Sequence, residues 1–116
     1  MEQNYFAIIN TGEAVFLGSN VNLVKIQKVL STPQNCAVKV GQKVLAKPMI
    51  HAIAKEECSN MEEYNLGINV TKNTLRTKVD DIDKALEKLE TDINKMDYIL
   101  INNDMLIFKH AFTHAE

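Results

Sequence analysis

The sequence predicts a single α+β domain over residues 1–116, with an antiparallel or mixed sheet packed against helices. Strand-like apolar runs lie near both ends of the chain, and turn residues divide each region into a β-hairpin. Between them, a regular spacing of apolar residues from Leu75 to Met96 predicts one long helix. Two shorter helical patterns complete the expected fold.

The N-terminal hairpin is predicted over residues 5–18. A β-prone run at residues 5–10 is followed by Thr11-Gly12, which suits a tight turn, and then by a second apolar run at residues 13–18. The first short helix is predicted over residues 20–30, because Ser19 or Asn20 can cap its start.

The second short helix is predicted over residues 48–58. Pro48 suits the first turn of a helix, and four apolar residues that follow share one helical face: Met49, Ile50, Ile53 and Ala54. A short strand precedes this helix at residues 36–40, and a weaker strand follows it at residues 66–70.

The long helix is predicted at about residues 78–96, where it would extend roughly 28 Å at 1.5 Å per residue. Its apolar residues alternate in steps of four and three, which is a heptad pattern. We expect this seam to join two copies of the chain, and packing on the chain's own sheet is the alternative. The expected interface residues are Leu75, Val79, Ile82, Leu86, Leu89, Ile93 and Met96.

The C-terminal hairpin is predicted from residues 98–101 and 105–108, which flank the turn residues Asn102, Asn103 and Asp104. Both strands are apolar on both faces, so we expect them at a covered position in the sheet. Residues 109–116 look like a short tail. No internal repeat is visible in the sequence.

Charge is unevenly distributed along the chain. Residues 1–55 contain six lysines and two glutamates, a net charge of +4, whereas residues 56–116 contain seven basic and thirteen acidic residues, a net charge of −6. This asymmetry predicts either an anion-binding face in the first half or attraction between the halves, within or between chains. For the anion site the candidates are Ser19, Asn20, Lys25, Lys28, Lys43 and Lys47.

Several classes of function are disfavoured by the sequence. Arg76 is the only arginine among thirteen basic residues, and arginine is the usual reader of guanine, so sequence-specific DNA binding is not expected. His110 and His114 lack a third metal ligand nearby, and no arrangement typical of catalysis or of cofactor binding is present. Cys36 and Cys58 do not suggest a disulfide framework, and no apolar run is long enough to span a membrane.

These observations predict a small cytoplasmic, homo-oligomeric binding protein without catalytic activity, cofactor or metal. Small size, abundant Asn and Ile and a lack of motifs are typical of accessory proteins of phages or mobile elements. The expected partners are a second copy of the chain and either a host protein that it inhibits or an anionic small molecule such as a nucleotide. The alternative is a nucleic-acid-associated regulator that uses the basic N-terminal half.

Overall fold

A computed structural model describes residues 3–57 and 63–116. Within these ranges the chain forms an α+β domain with two α-helices and ten strands. The helices are α1 (Leu23–Ser31) and α2 (Ile82–Ile93). The strands are β1 (Tyr5–Ile9), β2 (Ala14–Gly18), β3 (Ala37–Val40), β4 (Lys43–Ala46), β5 (Ile50–Lys55), β6 (Leu66–Val70), β7 (Asn73–Thr77), β8 (Tyr98–Ile101), β9 (Met105–Phe108) and β10 (Phe112–Ala115).

The strands form three antiparallel sheets. The largest has the order β2-β1-β5-β9-β8, the second has the order β10-β6-β7, and β3 pairs with β4 in a two-stranded sheet. The five-stranded sheet lies between two hydrophobic cores. Its first face packs against α1 and the β3–β4 hairpin, and its second face packs against α2, β6, β7 and β10.

Each helix begins at a side-chain cap. Asn22 Oδ1 accepts a hydrogen bond from the Lys25 backbone N–H at 3.2 Å, so α1 begins after Asn22 and not at Ser19 or Asn20. Asp81 caps α2 in the same way, since its Oδ1 accepts from the Lys84 N–H at 3.2 Å.

The predicted helix over residues 48–58 is wrong. Only the segment Lys47–Met49 is helical, as a single 3₁₀ turn that contains Pro48, and the chain then continues as β5. This strand is central in the five-stranded sheet and is buried on both faces over residues 50–54. A strand covered on both faces has no polar alternation, so its apolar residues can imitate the spacing of a helical face. Cys58 lies outside the described residues.

The predicted long helix over residues 78–96 is also wrong in its extent. Leu75 belongs to β7, Val79 precedes the cap of α2, and Met96 follows the end of the helix. Within α2, Leu89 is buried, and Leu86 and Ile93 pack against the same core as β6 and β10. The central part of the seam therefore packs on the chain's own sheets, the alternative to self-association, while Ile82 and Met96 are exposed.

The predicted tail is also partly wrong. Lys109–Ala111 form a 3₁₀ turn, and Phe112–Ala115 form β10, which pairs with β6. The segment is therefore part of the fold, and its last strand completes the three-stranded sheet.

The two halves of the chain repeat one arrangement, which the sequence does not reveal. In each half the order is strand, strand, helix, strand, strand, 3₁₀ turn, strand. The first strand of each half lies between the second and the last: β1 between β2 and β5, and β6 between β7 and β10. The β8–β9 hairpin of the second half therefore corresponds to the β3–β4 hairpin of the first.

Matching registers and hydrogen bonds establish this repeat residue by residue. Ala7 of β1 pairs with Ile53 of β5, and the equivalent Ile68 of β6 pairs with Ala115 of β10. Each pair of strands also has one shift in register, directly after Ile50 in β5 and directly after Phe112 in β10. Four backbone hydrogen bonds, all of 2.9 Å, form two matching pairs. They join Asn10 N to Met49 O, Thr71 N to Ala111 O, Lys47 N to Cys36 O, and Lys109 N to Asp97 O.

Candidate functional site

The two halves are joined by strand pairing between β5 and β9. Ile53 lies opposite Leu106 in this pair, which makes the hairpin of the second half continuous with the sheet of the first. Leu106 and Phe108 project into the first core, which α1 also lines, and both are fully buried. The last strand of the first half thus accepts a hairpin from the second half.

The corresponding edge of the second half is open among the described residues, since β10 pairs there only with β6. Glu116 and Gly67 exchange two backbone hydrogen bonds, of 3.0 and 2.8 Å. Because such pairs alternate along an antiparallel ladder, the N–H and C=O of Ala115 point away from β6. This edge can therefore accept a further strand.

A groove of about 300 Å³ lies beside this edge, between α2 and β10. Apolar side chains of the helix and the strand form most of its wall, and Glu90 adds a carboxylate. We call this surface the β10 groove and define it by Leu86, Leu89, Glu90, Ile93, Asn94, Phe112, His114 and Ala115.

A second exposed surface lies on the β3–β4 hairpin. Val38, Val40 and Leu45 point into the first core, whereas the opposite face carries exposed residues, among them Lys39 and Val44. Val44 is 71% exposed. Among the described residues, it is the most exposed of the large hydrophobic side chains.

The six residues predicted to bind an anion do not lie together at a helix start. Ser19 and Asn20 precede the Asn22 cap, while Lys25 and Lys28 are exposed on α1. The other two belong to β4 and the turn after it. Lys43 Nζ donates a 2.7 Å hydrogen bond to Phe16 O, and Lys47 Nζ lies 5.4 Å from the centroid of the Tyr98 ring. The predicted site is thus spread over the loop before α1, α1 itself, β4 and the turn after β4.

A polar cluster ties the β8–β9 turn to β7. Thr77 Oγ1 donates to Asp104 Oδ2 at 2.9 Å and accepts from Asn102 Nδ2 at 3.2 Å. Asp104 Oδ1 is buried without a hydrogen-bond partner among the described residues. Burial raises the pKa of Asp104, and the Thr77 hydrogen bond and the charge of Lys55 partly oppose this. Thr77 and Asp104 also line a cavity of about 230 Å³.

The histidines His110 and His114 are separated by the fold. His110 lies beside His51, and its Nε2 is 2.8 Å from Ile50 O. His114 is exposed on β10, where its Nδ1 is 3.1 Å from Thr113 Oγ1. In the described parts of the chain, no group of three His, Cys, Asp or Glu residues could hold a metal ion. No helix of residues 3–57 and 63–116 is long and apolar enough to cross a membrane.

Comparison with models of known protein families, with curated proteins and with solved structures found no match.

The β10 groove was not predicted from the sequence, because residues 109–116 look like a tail and not like a strand. A signal was present in Lys109-His110-Ala111-Phe112, which stands after the second hairpin as Lys47-Pro48-Met49-Ile50 stands after the first. The two segments share only their lysine, so the likeness is visible once the strands on either side are known.

Proposed function

We propose that this chain is a non-enzymatic binding protein that holds an extended segment of a partner chain along β10. The observation that carries the proposal is the open edge of β10 beside the apolar β10 groove. In strand addition, main-chain hydrogen bonds supply affinity, and pockets for alternate side chains supply specificity. The edge and the groove provide these two components.

The free N–H and C=O of Ala115 would form the central hydrogen bonds with the added strand. Side chains of the added strand that face α2 would enter the groove between Ile93 and Phe112. Burial of apolar surface there contributes about 25 cal/mol for each Å² removed from water. The partner is therefore a polypeptide with small or branched apolar side chains at alternate positions.

The proposal assigns the protein to the cytoplasm. Cys36 is an exposed free thiol. Thiols remain reduced in the cytoplasm, whereas secreted proteins usually form disulfides.

The test compares the wild-type chain with an Ala115→Pro variant, both purified from cells and examined by native mass spectrometry. Proline removes the N–H at the open edge and is tolerated where that N–H does not bond within the sheet. We expect the wild-type chain to carry an added polypeptide mass and the variant to carry none.

The matched control is Ala14→Pro on β2, which is an edge strand of the five-stranded sheet. Ile9 N donates to Glu13 O at 3.1 Å, so the alternation of the ladder turns the Ala14 N–H outward as well. This variant should keep the added mass. A wild-type chain that carries no polypeptide, or an Ala115→Pro variant that keeps it, contradicts the proposed function.

A further inference from the structure

We propose that the segment held on β10 is β4 of a second copy of this chain, so that copies join head to tail. This inference rests on the proposed function, because it names the partner of the same edge and groove. The expected contact between copies is based on the pairing of β5 with β9 inside one chain.

The repeat relates β5 to β10 and β9 to β4. Within the chain, Ile53 lies opposite Leu106, Ala54 opposite Met105 and Ala52 opposite Ile107. Transferring each residue to its equivalent in the other half gives the register of the junction between copies. Three pairs are expected: Ala115 with Val44, Glu116 with Lys43, and His114 with Leu45.

The backbone groups needed for this register are directed correctly on both strands. The N–H and C=O of Ala115 point away from β6. In the β3–β4 hairpin, Gly41 and Gln42 form a two-residue turn, so Val40 and Lys43 are the hydrogen-bonded pair next to the turn. Gly41 has a φ of +60°, which suits the first central position of a type II′ turn. By alternation, the N–H and C=O of Val44 point away from β3.

The exposure of equivalent residues supports the same junction. Leu106 is 0% exposed because its hairpin is seated on β5, whereas its equivalent Val44 is 71% exposed. In the first half, the side chains of Leu106 and Phe108 lie in the core beside α1. The β10 groove is the corresponding space beside α2, and Val44 and Ala46 are the corresponding side chains.

Charges on the two surfaces are complementary. The hairpin carries Lys39 and Lys43, and residues 36–46 contain no acidic residue. The β10 groove contains Glu90, and Glu116 follows β10. The net charges of +4 and −6 for residues 1–55 and 56–116 then attract between copies as each basic half meets an acidic half.

This contact is heterologous, since each copy contributes a different surface to it. Repetition of such a contact produces a closed ring or an open chain of copies. Two copies joined in this way leave one β4 and one β10 free, so assembly beyond a dimer is expected as concentration rises.

The experiment is sedimentation velocity from low to high micromolar concentration on the wild type, Val44→Asp and Ala115→Pro. We expect the wild type to assemble. Each variant should raise the dissociation constant by more than about tenfold. The carboxylate of Val44→Asp cannot enter an apolar groove without losing hydration, and Ala115→Pro removes the backbone N–H that would bond to the added strand. Val24→Asp is the matched control, because Val24 is an exposed valine of α1 outside the expected junction. Thermal melting verifies that each variant folds.

A mixture separates a heterologous contact from a symmetric one. Val44→Asp retains β10, and Ala115→Pro retains β4, so the two variants should form a one-to-one complex when mixed although each alone is monomeric. A monomeric wild type, or a Val44→Asp variant that assembles as the wild type does, overturns the inference. If the wild type instead carries a different polypeptide that Ala115→Pro loses, the proposed function stands and the head-to-tail inference fails.

Discussion

His51 packs edge to face against His110, with the ring centroids 5.6 Å apart. The contact lies where β5 meets the 3₁₀ turn Lys109–Ala111, at the boundary between the two halves of the chain. His51 is 7% exposed, and its Nδ1 has no hydrogen-bond partner among the described residues. Burial and the neighbouring His110 lower the pKa of His51; Lys72 acts in the same direction, and a hydrogen bond with the Thr71 backbone opposes them.

The first prediction concerns the dependence of stability on pH. A histidine whose pKa is lowered in the folded state remains neutral there, while the unfolded chain takes up a proton below its ordinary pKa of 6.5. The free energy of unfolding should therefore fall as the pH decreases below about 6.5, by about 1.4 kcal/mol for each unit by which the pKa is lowered. Urea denaturation at a series of pH values measures this loss.

His51→Gln should reduce this loss in acid, because the substituted side chain does not titrate. His114→Gln should retain it, since His114 is exposed. Equal slopes of stability against pH for the wild type and His51→Gln would show that another group is responsible.

The second prediction concerns Asp104→Asn. A carboxylate with a raised pKa in the folded state destabilises the fold once the pH rises above its ordinary value of 3.8, because the folded state then has to ionise a buried group. Asparagine keeps an oxygen that can accept from Thr77 Oγ1 and carries no charge. At neutral pH the variant should gain on the order of 1 kcal/mol in the free energy of unfolding.

The measurement is urea denaturation at pH 7 and at pH 3, where the advantage of the variant should shrink as Asp104 becomes protonated. Asp80→Asn provides the control, because Asp80 is exposed. Loss of stability at pH 7 would mean that the carboxylate contributes more through its contacts than its burial costs.

The sequence predicted an α+β domain, but the predicted fold was wrong in its helices and in its number of strands, since the described residues form two helices and ten strands. Local pattern and tertiary position agree in two regions. Residues 5–18 and residues 98–108 contain apolar runs split by turn residues, and these segments form β1 with β2 and β8 with β9. It failed at β5, where burial on both faces removes the alternation that marks a strand. It failed again near Leu75, because the heptad spacing runs on through β7 and the loop before α2.

The candidate site could not be predicted because it depends on the repeat. The equivalent residues that carry the repeat are seldom identical: Ala7 corresponds to Ile68, and Asn22 to Asp81. Apolar character and capping chemistry are retained while the residue types change, so a comparison of the two halves by identity finds little. The open edge of β10 is recognised by comparison with β5, because the equivalent edge of β5 pairs with β9.

The third prediction tests the equivalence of the two helix caps. Asn22→Ala and Asp81→Ala should each lower the free energy of unfolding by about 1 kcal/mol, because each leaves a backbone N–H of the first turn without its acceptor. The effects should add in the double variant, since the caps belong to different helices and share no partner. Asn20→Ala, at the cap position expected from the sequence, should change stability much less; an equal loss there would contradict the assignment of Asn22.

The fourth prediction concerns the charged pair expected between copies, Lys43 of one chain and Glu116 of the next. Lys43→Glu would set two glutamates opposite each other, and Glu116→Lys would set two lysines opposite each other. Like charges at facing strand positions are destabilising by about 0.2–1 kcal/mol, so each variant should weaken assembly by up to about fivefold. Sedimentation velocity at low ionic strength measures the change.

The double variant Lys43→Glu with Glu116→Lys restores opposite charges at every junction between copies, so it should assemble more strongly than either single variant. Lys25→Glu changes the net charge by the same amount as Lys43→Glu but lies on α1, and it should leave assembly near the wild-type level. Added salt should reduce the differences between all these variants, because exposed charges are screened over about 8 Å at physiological ionic strength. A double variant weaker than both single variants would show that Lys43 acts through its hydrogen bond to Phe16 O and does not face Glu116 of a neighbouring copy.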